Sequence, residues 1–169
     1  MSDYASLLIS LAGAGFLFMK MKGMRLDKAG IDLIKKFEGW SATVYQDQAG
    51  HDTIGYGHLI KPGEHFTYLT KPEGEILLRK DLQIYEKAVN ASVKVKLTQS
   101  MYNSIVSLVY NIGVSAFKNS TLLKKLNSGD YEGAKNEFQR WNKITVNGEK
   151  IASAGLTQRR HIEAGEFFA

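Results

Sequence analysis

The chain has 169 residues, of which 44% are hydrophobic and 23% are charged, and it contains no cysteine. This composition excludes wholesale disorder, and the missing cysteine excludes disulfide frameworks and thiolate metal or redox sites. The net charge of +5 favours anionic partners, but the chain lacks the dense basic run interleaved with aromatics that is typical of nucleic-acid binding. We therefore expect one globular domain and no nucleic-acid partner.

The N-terminal stretch over residues 4–19 carries no charged residue. These sixteen residues fall just short of the roughly 17–25 that span a bilayer. Asp3 precedes the stretch, and three basic residues follow it: Lys20, Lys22 and Arg25. The positive-inside rule would therefore keep the rest of the chain cytoplasmic, and the missing basic n-region disfavours a cleaved signal peptide. We divide the chain into a hydrophobic segment, 1–23, and a domain, 24–169.

The first helix of this domain is predicted from an apolar stripe at helical spacing: Ile31, Ile34 and Phe37. Asp27 is expected to cap its start, and Gly39 is expected to end it. Glu38 would then lie on the last turn of the helix.

The next segment predicts a hairpin. β-Branched and aromatic residues at 44–45 and 53–54 enclose a short link that contains Gly50. Asp47 would close the first strand. Gly55 and Gly57 flank Tyr56 and predict a strand whose backbone approaches another group closely.

Glu38 and Asp47 would thus be presented by two separate elements with a short connection between them. Glycoside cleavage uses one protonated carboxylic acid in an apolar setting and one ionised carboxylate that activates water or attacks the sugar. Phe37 and Trp40 are apolar neighbours of Glu38, whereas Asp47 has polar neighbours, so Glu38 is predicted as the acid. Thr53 offers a hydroxyl to position a water. Taken alone, Glu38 and Asp47 would equally fit two structural carboxylates, one at a helix end and one in a turn, that have no catalytic role.

Two longer helices are predicted further along the chain. Apolar positions between residues 72 and 91 predict a helix that links two lobes across a cleft: Ile76, Leu77, Ile84 and Val89. A second apolar set predicts a largely buried helix that ends at Gly113: Met101, Ile105, Leu108, Val109 and Ile112. Tyr110 and Asn111 at its end either line the cleft and contact sugar, or serve as a core aromatic and a helix-terminal amide.

The last third of the chain carries two turn signals. Residues 128–130 predict a turn in which Asp130 caps a helix that continues through Trp141. Residues 146–149 predict the tip of a hairpin because they contain Asn147-Gly148.

Three further polar residues are candidates for a role in the site. No metal-spaced His/Asp pattern accompanies His58, so a charge-paired structural histidine is favoured over a metal ligand. Arg159 and Arg160, at the start of the predicted last helix, form a solvated basic face, or one of them buries its guanidinium against a carboxylate.

The spacing of Glu38, Asp47 and Thr53, within Tyr-x-Asp-x-x-Gly and Thr-Ile-Gly-Tyr-Gly-His, resembles the catalytic signature of the phage-type lysozymes, the endolysins of the T4 lysozyme family. Similar stretches follow in the family's order: residues 103–120, Arg140-Trp141 and residues 155–163. The resemblance covers roughly residues 26–168.

This resemblance implies a mostly helical α+β fold with a small antiparallel sheet, a linking helix and a helical C-terminal lobe. It implies inverting hydrolysis of the β-1,4 bond between N-acetylmuramic acid and N-acetylglucosamine in peptidoglycan, with the two carboxyls about 6.5–9.5 Å apart. No cofactor or metal is needed, and we expect a monomer that acts on the periplasmic cell wall during host lysis. The resemblance also pairs His58 with Asp81 and gives Arg159 or Arg160 a structural role near the site.

Some phage endolysins carry a weakly hydrophobic signal anchor that holds the enzyme at the inner membrane and later releases it. Residues 4–19 fit such an anchor, which would give transient membrane association. The alternatives are a hydrophobic helix packed on the domain, and residues left by cloning or by a start site ahead of Met24.

Three other functions fit parts of the pattern. One is a wall-binding module with a silent carboxylate pair. Another is a membrane-perturbing protein that acts through residues 1–23 and its basic charge. The third is a lytic transglycosylase, which needs an acid but not Asp47.

Overall fold

The computed structural model of the protein describes residues 23–47 and 50–169. The helices over these residues are α1 (Lys28–Glu38), α2 (Lys71–Ser92), α3 (Gln99–Ile112), α4 (Val114–Lys118), α5 (Thr121–Asn127), α6 (Tyr131–Asn136) and α7 (Ala154–Glu166), with a 3-10 helix at Glu137–Trp141. The strands are β1 (Ser41–Gln46), β2 (Asp52–Gly55), β3 (His58–Leu59), β4 (Lys143–Val146) and β5 (Glu149–Ala152). The stretch considered as an anchor, residues 4–19, lies outside the described residues.

Helix α1 begins and ends where the sequence predicts. The Asp27 carboxylate accepts a 3.0 Å hydrogen bond from the Gly30 amide, which satisfies one of the free donors of the first turn. Gly39 follows the helix with a φ of +71°, a conformation that glycine adopts without strain. Glu38 is therefore the last helical residue, as predicted.

The small lobe is built on a three-stranded antiparallel sheet in the order β1-β2-β3. Tyr45 pairs with Thr53 across the hairpin, which confirms the predicted strand pairing. The strand predicted around Tyr56 is wrong, because β2 ends at Gly55 and Tyr56-Gly57 form a turn into β3. Positive φ values of +69° at Gly55 and +85° at Gly57 break the extended backbone there.

Helix α2 has the predicted extent, but of the four apolar positions that predicted it only Val89 is fully buried. Ile76 and Ile84 are 70% and 62% exposed. Val89 shares the buried face with Leu78 and Leu82, which were not among the predicted positions. Gly74 lies on the same face of α2, at its first turn, and contacts the Trp40 ring. Because only a residue without a side chain allows the ring so close, this contact determines which face of α2 packs against the rest of the protein.

The core surrounds α3, which packs against α1, α2 and α7. Every residue of α3 from Met101 to Val109 is buried, and Gly113 ends the helix as predicted. Aromatic side chains from the later helices fill the rest of this lobe without exposure: Phe117, Phe138 and Phe167. The mostly helical two-lobed α+β fold is thus confirmed.

The C-terminal elements follow the predicted turns, but the helix predicted to continue through Trp141 ends at Asn136 and is followed by the 3-10 helix. Asp130 caps α6 through the Gly133 amide at 2.8 Å, and β4 pairs with β5 around Asn147-Gly148. Helix α7 begins at Ala154, so Arg159 and Arg160 lie in its middle and not at its start. None of the described helices is both long and apolar enough to cross a membrane.

The contact between Gly74 and Trp40 gives a stability prediction. Gly74→Ala should lower the free energy of unfolding by about 1–3 kcal/mol, because the new Cβ would overlap the Trp40 ring. The matched control is Gly165→Ala in α7, where a Cβ meets nothing within 4 Å, and it should gain about 0.5–1 kcal/mol. Urea unfolding followed by circular dichroism measures both, and a loss of similar size in both variants would contradict the packing argument.

The contact between α1 and α2 gives a pH prediction. Lys35 Nζ donates to Glu75 Oε2 at 2.8 Å, and this hydrogen bond holds the pKa of Glu75 below its usual value. The stabilising contribution is therefore present above the unfolded pKa of about 4.3 and is lost as the pH falls through the lower folded pKa. Glu75→Gln should cost up to about 1 kcal/mol at pH 7 and almost nothing at about pH 3. Urea unfolding at both pH values tests this, and a pH-independent cost would refute it.

Candidate active site

Glu38 lies where α1, the β2–β3 turn, α3 and α7 meet. Its side chain is 21% exposed, and its Oε1 accepts a 2.8 Å hydrogen bond from Arg159 Nη1. A Cβ built on Gly57 would lie 3.8 Å from Glu38 Oε2 and 3.9 Å from the Tyr110 hydroxyl. The carboxyl therefore has one oxygen on a guanidinium, and the other faces the glycine turn and the phenol.

Arg159 uses all three guanidinium nitrogens. Besides Glu38, its Nε donates to Glu163 Oε1 at 3.1 Å, and its Nη2 donates to the Ser107 carbonyl at 3.3 Å. The guanidinium carbon lies 4.9 Å from the centre of the Phe37 ring, within the range of a cation–π contact. These contacts fix both the position and the plane of the group that binds Glu38.

Arg160 is shielded from solvent and also binds Glu163. Its Nη2 donates to Glu163 Oε1 at 3.2 Å, and its Nε lies 2.8 Å from Glu163 Oε2. Arg159 and Arg160 are 5% and 0% exposed, so the solvated basic face is excluded for both. Of the two arginines, it is Arg159 whose guanidinium binds Glu38.

Glu163 lies between the two guanidiniums and has no exposed surface. Burial raises the pKa of Glu163, while Arg160, the Ser107 hydroxyl and Arg159 act in the opposite direction. A neutral Glu163 would leave two buried cations without a counter-ion on this side, which costs more than a paired charge. We therefore treat Glu163 as a carboxylate.

Asp47 follows β1 and is 31% exposed at its side chain. Its Oδ1 accepts a 2.9 Å hydrogen bond from the His51 amide, and its Oδ2 lies 3.5 Å from His51 Nδ1. Thr53 is buried, and its hydroxyl donates to the His51 carbonyl at 3.1 Å. His51 therefore connects Asp47 and Thr53 through its backbone, which places both beside the loop that joins β1 to β2.

Tyr110 reaches the cluster from the end of α3. Its ring meets Tyr85 edge to face at 5.1 Å between ring centres. Burial raises the pKa of Tyr110 above its ordinary value, and the negative charge of Glu38 raises it further. The phenol thus keeps its proton at neutral pH. Asn111, the next residue, is exposed.

His58 is held by two carboxylates in the small lobe. Its Nδ1 lies 2.7 Å from Asp81 Oδ2, and its Nε2 lies 2.9 Å from Glu64 Oε2. The Lys61 amide and His58 both lower the pKa of Glu64. Both ring nitrogens are occupied, and among the described residues no group of three or more His, Asp or Glu side chains could hold a metal.

Three polar residues near the site were not predicted from the sequence: Ser107, Glu163 and Glu64. Glu163 follows Arg159 by four positions and Arg160 by three, a helical spacing that could have indicated ion pairs. No comparable signal marks Ser107, because a serine inside an apolar helix pattern does not indicate its partner. Glu64 lies in a loop whose path the pattern does not predict.

The chain is similar to known proteins over most of its length. The family model described as phage lysozyme matches residues 35–163. The chain is 44% identical over 146 residues to an endolysin of Acyrthosiphon pisum secondary endosymbiont phage 1, covering 85% of this chain and 98% of that protein. It is 39% identical over 126 residues to a SAR-endolysin of Enterobacteria phage P21, covering 75% of this chain and 74% of that protein.

Solved structures show the same fold. An endolysin from Escherichia coli O157:H7 phage FAHEc1 superposes with a TM-score of 0.80 at 39% identity, over 86% of this chain and 94% of that one. The muramidase domain of SpmX from Asticaccaulis excentricus superposes with a TM-score of 0.80 at 34% identity, over 86% and 98%. With a family match over most of its length and relatives at this identity, the chain belongs to the phage lysozyme family.

Proposed function

We propose that this protein, an endolysin with lysozyme-type glycoside hydrolase activity, cleaves the β-1,4 bond between N-acetylmuramic acid and N-acetylglucosamine in peptidoglycan. Membership of the phage lysozyme family supports the substrate and the reaction class. The observation that carries the residue assignment is the 2.8 Å contact between Glu38 and the buried guanidinium of Arg159. Such a contact fixes a single orientation of the carboxyl beside the turn at Gly57.

In this mechanism Glu38 protonates the leaving oxygen of the glycosidic bond. Arg159 holds Oε1, so Oε2, on the side of Gly57, is the oxygen that would carry the proton. Asp47 orients or activates the attacking water as the ionised partner. We assign inversion at the anomeric carbon, as the family resemblance implies; this assignment expects the two carboxyls about 6.5–9.5 Å apart, a separation that lets water attack from the face opposite the leaving group.

Thr53 is assigned to the same water. Its hydroxyl hydrogen is used by the His51 carbonyl at 3.1 Å, so its oxygen is left as an acceptor. A water donating to Thr53 and to Asp47 would have both hydrogens engaged and a lone pair directed elsewhere. That orientation is the one required for attack on the anomeric carbon.

Tyr110 and Asn111 are assigned to substrate binding. A phenol that stays protonated because of its burial can donate to a sugar oxygen. The exposed Asn111 amide beside it offers both a donor and an acceptor. His58, Asp81, Arg159 and Arg160 are assigned supporting roles, since each is engaged with other side chains.

The enzyme acts on the host cell wall, and we assign residues 4–19 to transient association with the inner membrane before release. The uncharged sequence of this stretch supports the assignment, as does the similarity to a relative described as a SAR-endolysin. We expect the released enzyme to act as a monomer in the periplasm.

The carboxylate assignment is tested on purified peptidoglycan. Glu38→Gln and Asp47→Ala should each lower turnover by at least about 10²-fold, because each removes one half of the acid–base pair. Mass spectrometry of the products separates reducing ends from 1,6-anhydro ends, and the parent should yield reducing muramic ends. Glu132→Gln, at an exposed position in α6, serves as the control and should keep full activity. Anhydro ends that survive Asp47→Ala would instead identify a lytic transglycosylase.

The anchor assignment is tested by deleting residues 1–23. The truncated protein should leave the membrane fraction of expressing cells while its turnover of isolated peptidoglycan stays within about twofold of the parent, since every residue assigned to the reaction lies beyond residue 23. Fractionation with immunoblotting and a dye-release assay measure the two effects. If killing of whole cells vanished and membrane leakage by the full chain did not depend on Glu38, the membrane-perturbing function would replace this one.

A further inference from the structure

Four charged side chains form a chain of contacts that runs from the proposed acid into the core. Glu38 binds Arg159, Arg159 binds Glu163, and Glu163 binds Arg160. The last three are at most 5% exposed, and Glu163 and Arg160 have no exposed surface. The proposed reaction uses Glu38 and the arginines that support it, but it gives no role to Glu163, so this buried carboxylate needs an explanation of its own.

The first consequence of Glu163 is geometric. Its Oε1 receives the Arg159 Nε at 3.1 Å and the Ser107 hydroxyl at 2.6 Å. The Ser107 carbonyl accepts a hydrogen bond from Arg159 Nη2. The Glu163 carboxylate of α7 and the Ser107 carbonyl of α3 therefore hold the two guanidinium nitrogens that do not contact Glu38. With these nitrogens fixed, the Arg159 Nη1 is left at the position from which it binds Glu38 at 2.8 Å.

The second consequence is electrostatic. With Glu163 ionised, two guanidiniums face two carboxylates, and the cluster is neutral while Glu38 is charged. Without the charge of Glu163, both guanidiniums would act on Glu38 alone. An opposite charge at this range favours the ionised form of a carboxyl by roughly one to three pH units, and an acid held ionised cannot donate a proton.

We propose that Glu163 is a positioning residue for Glu38: it orients the Arg159 guanidinium and balances the second arginine, so that Glu38 can hold the proton it donates. This inference rests on the proposed role of Glu38 as the acid. Two phenols that act on Glu38 stay unchanged in the test below, Tyr85 from α2 and Tyr110 from α3, and so does Asp81 of α2, which acts on both phenols. Asp47 on the hairpin and Lys35 and Lys36 on α1 also stay unchanged.

The experiment measures kcat and KM against pH on a soluble peptidoglycan fragment, with the full-length protein. Glu163→Gln removes the charge and keeps the shape of the side chain. Because both guanidiniums then favour the ionised form of Glu38, the alkaline limb of the kcat–pH profile should move to lower pH by roughly one unit. Arg160→Met removes one cation and should move the limb in the opposite direction. Glu163→Asp restores the charge and should restore the position of the limb, whereas KM should change by less than about twofold in all three.

Two further variants separate positioning from a general loss of stability. Ser107→Ala removes the 2.6 Å hydrogen bond to Glu163 but no charge, so kcat should fall by about three- to tenfold with the limb unmoved. Glu137→Gln is the matched control, because Glu137 is a 7% exposed carboxylate that pairs with Lys125 at 2.8 Å and Arg140 at 3.5 Å outside the site. It should lower the Tm and leave kcat and the limb unchanged.

The outcomes separate this inference from the proposed function. If Glu38→Gln is inactive but the limb stays in place in both folded Glu163→Gln and Arg160→Met, Glu163 is only structural and the inference fails. If Glu38→Gln keeps its activity, the proposed acid is wrong and so is this inference. Should Glu163→Gln not fold, the upward shift in Arg160→Met decides, because a purely structural arginine would not move the limb.

Discussion

The contact between Glu38 and Arg159 is the constraint on which the rest of the site depends. It joins the last residue of α1 to the middle of α7, across 121 positions of sequence. A guanidinium that is 5% exposed cannot be left without partners, since an unpaired buried charge is far more costly than a paired one. The burial of Arg159 therefore requires Glu163 and the Ser107 carbonyl, and the burial of Glu163 brings in Arg160 and the Ser107 hydroxyl.

Helix α3 makes this arrangement possible because it is largely buried, and two of its polar residues, Ser107 and Tyr110, face the site. Ser107 supplies both its hydroxyl and its carbonyl to the α7 cluster, and Tyr110 lies one turn further along on the side of Glu38. Both residues are held by a helix packed on three sides, so their positions carry little conformational freedom. A rigid core element thus supports the proposed acid, while Asp47 and Thr53 sit on the hairpin of the smaller lobe.

Much of this fold could be predicted because the residues that start and end its helices and turns act over a few positions of sequence. The cap at Asp27, the stop at Gly39 and the glycine link of the hairpin each act within a few residues, and all three were predicted correctly. The buried face of α2 was not, because apolar residues occur on two sides of that helix and only the contact between Gly74 and Trp40 distinguishes them. The contact between Ser107 and Glu163 depends on how α3 packs against α7. The hydrophobic periodicity of the sequence does not predict this packing.

The position of Glu38 at the end of α1 imposes two opposing electrostatic effects. The C-terminal end of a helix carries partial negative charge, which disfavours a carboxylate and favours its protonated form. Arg159 acts in the opposite direction at 2.8 Å. The acid role proposed for Glu38, in which it holds a proton and then releases it, needs these effects to be nearly balanced. In the role proposed for Glu163, its buried carboxylate shares the charge of Arg159, while Arg159 keeps the 2.8 Å contact that orients the Glu38 carboxyl.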